Sequence, residues 1–245
     1  AGGGSSLYGG AIYATAGSLS LEDCDFAANR IGPLGGETYS SWGGAIAVTD
    51  CAIQIRGTDF VGNWNQAPHG YSFGGAVYAI NGSVSIASST FLTNSVNKSG
   101  THTTSDLAYG GALAVRNAKR LNCVDSTFVG NYAIGHLGRG GTVFLDCVGA
   151  ASVMTSVVAR CVFDGNGTNT TQKAQLGSVH FSSGVLYMTN CLVSRAGIEG
   201  GLVCEPVKVA SQFELVEPAS YTHVADIVNV TFADNARWGF RHKST

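Results

Sequence analysis

The feature that most constrains this chain of 245 residues is a tandem repeat of two short motifs. The first motif is a Gly-Gly pair followed by a small residue and an aliphatic one: Gly9-Gly10-Ala11-Ile12, Gly43-Gly44-Ala45-Ile46, Gly74-Gly75-Ala76-Val77, Gly110-Gly111-Ala112-Leu113 and Gly140-Gly141-Thr142-Val143, with degenerate copies at Leu176-Gly177-Ser178-Val179 and Gly200-Gly201-Leu202-Val203. The second is Phe-x-x-Asn, at residues 26–29, 60–63, 91–94, 128–131, 163–166 and 232–235. A recurring unit of this length indicates one stacked object, because a single unit cannot bury its apolar face alone.

Apolar residues alternate with period two before each Phe, and this pattern is typical of a β-strand. The Gly-Gly segment predicts a second strand, whose aliphatic positions should stack as one column: Ile12, Ile46, Val77, Leu113, Val143, Val179 and Val203. By alternation their next neighbours should face outward: Tyr13, Ala47, Tyr78, Ala114, Phe144, His180 and Cys204.

These columns predict an all-β fold, a right-handed single-stranded parallel β-helix, which is a pectin-lyase-like solenoid of about seven coils. Residues 1–245 should form one domain, a segment of a larger extracellular protein, with an insertion loop at 205–224. The glycines should supply positive φ or a side-chain-free approach at the corners. The Asn residues of the second motif should form a hydrogen-bonded structural ladder: Asn29, Asn63, Asn94, Asn131, Asn166 and Asn235.

Composition narrows the range of partners. The 14 Lys and Arg nearly balance the 16 Asp and Glu, so the chain lacks the concentrated basic charge that nucleic acids and anionic membranes require. No stretch is long and apolar enough to span a bilayer, so we expect no membrane insertion by this segment. The 34 glycines, with only 12% charged residues, favour an all-β chain with many tight turns over a helical one.

Seven cysteines leave at least one thiol unpaired within a monomer, and their spacing is not that of a zinc site. Cys161 and Cys191 occupy equivalent positions in adjacent coils, about 4.8 Å apart, so they could form a disulfide. The favoured alternative is that both are small buried residues, like Ser89 and Ser126 in the same column.

The paired motifs in strict alternation, from Gly9 to Asn235, resemble the repeats of the chlamydial polymorphic outer-membrane proteins. The resemblance implies a right-handed β-helix that serves as a cell-surface adhesion passenger. The chain also carries five Asn-x-Ser/Thr sequons, a modest excess over chance that favours a secreted eukaryotic glycoprotein. The predicted glycosylation sites are Asn81, Asn97, Asn166, Asn169 and Asn229.

The stretches between each Asn and the next Gly-Gly pair are variable, and loops on one face of a solenoid usually bind partners. They cover 30–42, 64–73, 95–109, 132–139, 167–175 and, displaced, 205–224. An aromatic residue precedes four of the Gly-Gly pairs: Tyr8, Trp42, Phe73 and Tyr109. These four residues are a candidate binding edge for sugars or proteins, and the alternative is a corner stack that covers the core.

The sequence gives little support for a catalytic site or a metal site. The acidic cluster of Glu22, Asp23 and Asp25 has no acidic partner cluster in the second coil, and the six histidines lack metal-ligand spacing. We therefore predict no catalytic residues, no metal and no cofactor.

The leading hypothesis is a non-catalytic extracellular structural or adhesion module. Its partners would be other protein chains of a surface assembly or host and cell-surface glycans, with no nucleic acid. Its location would be extracellular or at the cell surface, through secretion. The alternatives are a pectate-lyase-like carbohydrate-active enzyme, which rests on fold analogy alone, and an architectural spacer in a filament.

Overall fold

The structure is a computed structural model, and it describes residues 5–32, 38–67, 70–97, 107–135, 137–147, 154–169, 178–197, 200–204, 223–236 and 238–242. All regular secondary structure in these residues is β-strand, and every strand pair is parallel. Within these ranges no helix has the length and hydropathy needed to cross a bilayer.

The strands follow one another in a repeating order. The first two turns contain β1 (Ser5–Tyr8), β2 (Ile12–Glu22), β3 (Asp25–Ala27), β4 (Arg30–Ile31), β5 (Thr38–Trp42), β6 (Ile46–Arg56), β7 (Asp59–Val61) and β8 (Trp64–Asn65). The next three contain β9 (Tyr71–Phe73), β10 (Val77–Ile80), β11 (Ser83–Ala87), β12 (Thr90–Leu92), β13 (Ser95–Asn97), β14 (Leu107–Tyr109), β15 (Leu113–Arg116), β16 (Arg120–Val124), β17 (Thr127–Val129), β18 (Tyr132–Ile134), β19 (Leu137–Arg139), β20 (Val143–Asp146), β21 (Thr155–Ala159), β22 (Val162–Asp164) and β23 (Gly167–Asn169). The remaining strands are β24 (Val179–Phe181), β25 (Gly184–Thr189), β26 (Leu192–Ser194), β27 (Leu202–Cys204), β28 (His223–Val228), β29 (Thr231–Ala233) and β30 (Phe240–His242).

Stacking of equivalent strands builds four parallel sheets, and this confirms a parallel β-solenoid. Sheet A has the order β1-β5-β9-β14-β19, and sheet D has the order β23-β18-β13-β8-β4. Sheet C runs β29-β26-β22-β17-β12-β7-β3, and the large sheet B contains the remaining strands. Each turn passes through A, B, C and D in that order.

The expectation of seven coils is slightly too high, because about five turns are complete. In the described part of the chain, sheets A and D have five strands each, whereas sheet C has seven. The last two repeats are the degenerate ones, and in the sixth Ala196 stands where the Asn should be. One other expectation needs correction, because stretches predicted as loops contain the strands of sheets A and D. The predicted insertion loop at 205–224 lies outside the described residues up to position 222, and its last two residues begin β28.

The core consists of in-register columns, as the period-two pattern predicts. Five phenylalanine rings stack face to face in sheet C, with centroids 4.7–5.0 Å apart from Phe26 to Phe163. The aliphatic column of sheet B differs at one place from the expected alignment. Val179 pairs with Leu202, so Leu202 completes the column and Val203 lies beside His180. Leu202 packs in the main core, whereas Val203 packs in a second, separate apolar cluster.

The two glycines of each Gly-Gly pair have different structural roles, which Gly110 and Gly111 illustrate. Gly110 has φ +65°, a left-handed conformation that strains other residues. Gly111 has no such φ, but a Cβ there would overlap the Gly141 carbonyl oxygen of the next turn and lie 2.6 Å from Tyr132 N. The pair therefore makes a corner at which two layers of backbone touch.

The asparagine column forms a ladder of buried side chains. The Asn63 backbone N–H donates to Asn94 Oδ1 (3.0 Å), and Asn63 Nδ2 donates both to that oxygen (2.9 Å) and to the Phe26 carbonyl (2.8 Å). The same pattern links Asn94 to Asn131 and Asn131 to Asn166. At Ala196 the backbone N–H still donates to Asn235 Oδ1 (3.0 Å). The Asn side chains thus satisfy backbone groups at a corner where no strand partner is available.

Candidate functional surface

The four aromatic residues of the predicted binding edge lie mostly inside the protein. Tyr8 is 39% exposed, but Trp42 is 8%, Phe73 2% and Tyr109 0% exposed. Their rings stack in the corner, with Tyr8–Trp42 centroids 4.5 Å apart and Phe73–Tyr109 centroids 4.6 Å apart. The binding-edge interpretation is therefore wrong for Trp42, Phe73 and Tyr109, and the corner-stack alternative describes them.

The residues that cover these rings were expected to face solvent. Tyr78 and Phe144 pack against Phe73 and Tyr109 in a second apolar cluster, separate from the main core. His180 is also buried and stacks on Phe144, with centroids 5.5 Å apart. Alternation does place these side chains on the outer face of sheet B, but they are buried there in one cluster with the aromatic side chains of sheet A.

A charged pair lies in this second layer. Arg116 Nε is 3.4 Å from Asp146 Oδ2, and the Arg116 guanidinium lies 4.8 Å from the Phe73 ring centroid. Ser182 Oγ donates to Asp146 Oδ1 (2.6 Å). Burial raises the pKa of Asp146, although Arg116 and Ser182 oppose that shift. Burial also raises the pKa of Tyr78 to about 12. These groups contact one another rather than solvent, which favours a structural role for the network.

Sheet D presents an exposed column that the sequence did not reveal. Its residues stand directly after each Asn of the ladder and pair in register: Arg30, Trp64, Ser95, Tyr132 and Gly167. We call the first four of these residues the sheet D column. Tyr132 is 41% exposed, Trp64 is half-buried, and the guanidinium of Arg30 lies 4.1 Å from the Trp64 ring centroid. The residue after each of them is buried, so alternation turns this column outward.

Apolar side chains flank the sheet D column on its sheet C side. Val61 and Leu92 pair in register and are 38% and 36% exposed. They stand three residues before Trp64 and Ser95, across the corner between sheets C and D. Exposed apolar and aromatic groups grouped in this way are typical of an interaction surface. The sequence signal that could have revealed the sheet D column is its position, one residue after each Phe-x-x-Asn motif.

The connections from sheet D to sheet A all leave at the same corner, one per turn. They differ in length, from two residues at 135–136 to nine at 98–106. Variable connections on a regular frame can change a binding surface without changing the core. The strands that carry the sheet D column end at this corner.

The five sequons differ in accessibility. Asn81 and Asn229 are exposed at corners. Asn166 is 1% exposed and its Nδ2 donates to the Phe128 carbonyl (2.8 Å), so its amide cannot carry a glycan in this fold. Asn97 and Asn169 end strands β13 and β23, and their side chains lie outside the described part.

The remaining candidate residues give no metal or catalytic cluster in the part that is described. His69, His102 and His136 lie outside the described residues. Within the part of the chain that the structure describes, no group of three or more His, Cys, Asp or Glu side chains is arranged to hold a metal. Glu22, Asp23 and Asp25 are exposed. Cys161 and Cys191 are free thiols in the structure.

No protein-family model, no curated protein and no solved structure matches this chain. The resemblance to chlamydial surface-protein repeats therefore rests on the tandem motifs alone.

Proposed function

We propose that this chain is a non-catalytic structural and adhesion module of an extracellular or cell-surface protein, and that it binds glycans through the sheet D column. The observation that carries the proposal is the outward-facing, in-register arrangement of half-buried Trp64, half-buried Ser95 and exposed Tyr132, whereas most rings of the sheet A and sheet C columns are buried. The proposal includes a right-handed winding and kinship with the chlamydial-type repeats, which the paired motifs support.

The spacing in the column suits a chain of sugars. Trp64 and Tyr132 stand two strand spacings apart, about 9.6 Å, with the small Ser95 between them. Aromatic faces stack on the apolar faces of sugar rings, and a polar residue between two rings leaves room for hydroxyl groups. Arg30 extends the column and supplies a cation that an acidic sugar could pair with.

Binding should depend on the aromatic groups of this column. We expect the double variant Trp64→Ser/Tyr132→Ser to lose binding to surface glycans by about tenfold or more, because it removes two aromatic contacts of about 0.5–1.5 kcal/mol each and about 1.4 kcal/mol is tenfold in affinity. A glycan array and binding to cell surfaces would measure the loss. Tyr187→Ser is the matched control, because Tyr187 is 42% exposed on sheet B, as Tyr132 is 41% exposed on sheet D.

Two outcomes would contradict this proposal. Equal binding by the double variant and by Tyr187→Ser, with both folded, would remove the sheet D column as the binding surface. Turnover of polyuronates by the unmodified protein, with or without calcium, would favour the pectate-lyase-like alternative.

We also propose that the protein is N-glycosylated at Asn81 and Asn229, whose side chains are exposed. Secreted from eukaryotic cells, the Ser83→Ala and Thr231→Ala variants should each lose one glycan, since each removes a sequon without altering its Asn. Thr168→Ala should lose none, because the sequon that it removes belongs to buried Asn166. Glycopeptide mass spectrometry would read all three, and a glycan on Asn166 in soluble, folded protein would be the contrary result.

A further inference from the structure

Two buried cysteines from different columns meet inside the solenoid. Cys123 lies in β16, and Cys161 lies one turn later at the corner before β22. Their sulfur atoms are 3.8 Å apart, and Cys161 Sγ also lies 3.5 Å from the Cys123 carbonyl oxygen. Cys123 and Cys161 are 2% and 1% exposed, so the two sulfurs face each other in the core.

The pair that the sequence suggested, Cys161 and Cys191, is arranged differently. Each of these thiols donates to the carbonyl two residues before it, Cys161 to Ala159 (3.3 Å) and Cys191 to Thr189 (3.2 Å). Ser89 and Ser126 in the same column make the same bond, to Ala87 and Val124. Side chains that donate to the carbonyl two residues before them point in the same direction. The Cys161 and Cys191 sulfurs should therefore lie about one strand spacing apart, about 4.8 Å. The Cys161 N–H donates to Cys191 Sγ (3.4 Å), and the two thiols also interact through their side chains.

Cys123 is unusual for its column. Its neighbours in register are Ile86 in the turn before and Val158 in the turn after, so a small thiol stands between two branched aliphatic residues. The sulfur of Cys161 contacts this smaller side chain. A sulfur–sulfur contact between two turns needs a shift of under about 2 Å to reach the 2.05 Å of a disulfide.

We propose that Cys123 and Cys161 form a disulfide when the chain folds in an oxidising environment, and that the bond joins the fourth and fifth turns. The oxidant is a small-molecule disulfide such as oxidised glutathione. One cysteine thiolate attacks the oxidant, forms a mixed disulfide and releases one reduced thiol. The second cysteine thiolate then attacks the protein-bound sulfur and releases the other reduced thiol. The two protons lost by the cysteines go to the two released thiolates.

The bond forms during folding, as the fourth and fifth turns come together and while the oxidant can still reach the two sulfurs. In the folded protein both sulfurs are shielded from solvent, and the contact with Cys123 raises the pKa of the Cys161 thiol, so little thiolate is present to react. A protein folded under reducing conditions should therefore keep both thiols for a long time after an oxidant is added. Slow oxidation of the folded protein would give the same product whether or not an oxidant was present during folding. The expected difference between the two samples therefore distinguishes oxidation during folding from slow oxidation afterwards.

The test is refolding of the denatured chain with oxidised and reduced glutathione, or with a dithiol reductant alone. After alkylation under denaturing conditions, non-reducing peptide mapping should find a Cys123–Cys161 link only in the first sample. The oxidised protein should melt about 5–10 °C higher than the reduced one, since the bond closes a long loop. Cys161→Ser should abolish this difference, whereas Cys191→Ser should retain it. Ser is tolerated at both positions because it occupies the same column in earlier turns.

A Cys161–Cys191 link would overturn the proposal, as would full alkylation of Cys123 and Cys161 after oxidative refolding. If Cys161→Ser refolds poorly, the peptide map of the unmodified chain still decides the outcome. The result is independent of glycan binding, because none of these cysteines lies in the sheet D column.

Discussion

Gly111→Ala should prevent the solenoid from forming between its fourth and fifth turns, with a loss of more than about 4 kcal/mol in the free energy of unfolding. A Cβ at this position would overlap the carbonyl oxygen of Gly141 and lie 2.5 Å from Tyr132 C and 2.6 Å from Tyr132 N. All three atoms belong to the backbone, so no side-chain rotation relieves the overlap. Urea unfolding followed by circular dichroism would measure the change.

Gly62→Ala is the matched control for this prediction. Gly62 has φ +61°, so alanine there is strained, but a Cβ would meet no atom within 4 Å. We expect a loss of only about 1 kcal/mol, which is the usual cost of a left-handed alanine. Similar losses at the two positions would show that the backbone contact at the Gly-Gly corner does not limit the fold.

Asn131→Ala should lower the free energy of unfolding by about 3–5 kcal/mol. Asn131 Oδ1 accepts from the backbone N–H of Asn94 (2.9 Å), and Asn131 Nδ2 donates to the Phe91 carbonyl (2.8 Å) and to Asn166 Oδ1 (3.1 Å). Alanine would remove the acceptor of the buried Asn94 N–H and a donor to the Phe91 carbonyl, at about 1–3 kcal/mol for each unsatisfied group, whereas Asn166 Oδ1 keeps the backbone N–H of residue 131 as a donor. Thermal and urea unfolding of the purified variant would give the value.

Asn29→Ala is the control, because Asn29 has the same motif position but lies in the first turn and is half-buried. Its Nδ2 donates to Asn63 Oδ1 (2.9 Å), and that oxygen keeps the Asn29 backbone N–H as a donor after the change. A loss of about 1 kcal/mol is expected. If Asn131→Ala costs no more than Asn29→Ala, the buried ladder contributes little to stability.

The two roles of the glycines in each Gly-Gly pair show how much structure a sequence motif can predict. From the Gly-Gly pair alone, positive φ and close approach could both be expected, but they could not be assigned to particular residues. The stack makes that assignment, because Gly110 turns the chain and Gly111 contacts the backbone of the next turn. The Phe and Asn columns followed more directly, since a side chain repeated at one position in every turn must meet its own copies.

The candidate binding residues were harder to predict. Trp42, Phe73 and Tyr109 are aromatic and precede a turn, which suggested an exposed edge, yet they pack against outward side chains of sheet B and are buried. Trp64 and Tyr132 lay in stretches that read as loops, because two- and three-residue strands are too short to show alternation. Only register in a neighbouring turn reveals that they form one exposed column.

The sequence by itself determined the stacked parallel architecture, the phenylalanine core and the asparagine column, because each depends on a periodicity that is local in the chain. The tertiary structure decided the number of complete turns, the second apolar layer with Arg116 and Asp146, the exposed sheet D column and the partner of Cys161. These features depend on contacts between residues about thirty or more positions apart and on which sheet covers which face. A repeat predicts that equal positions stack, but it does not predict how unequal positions meet across a corner.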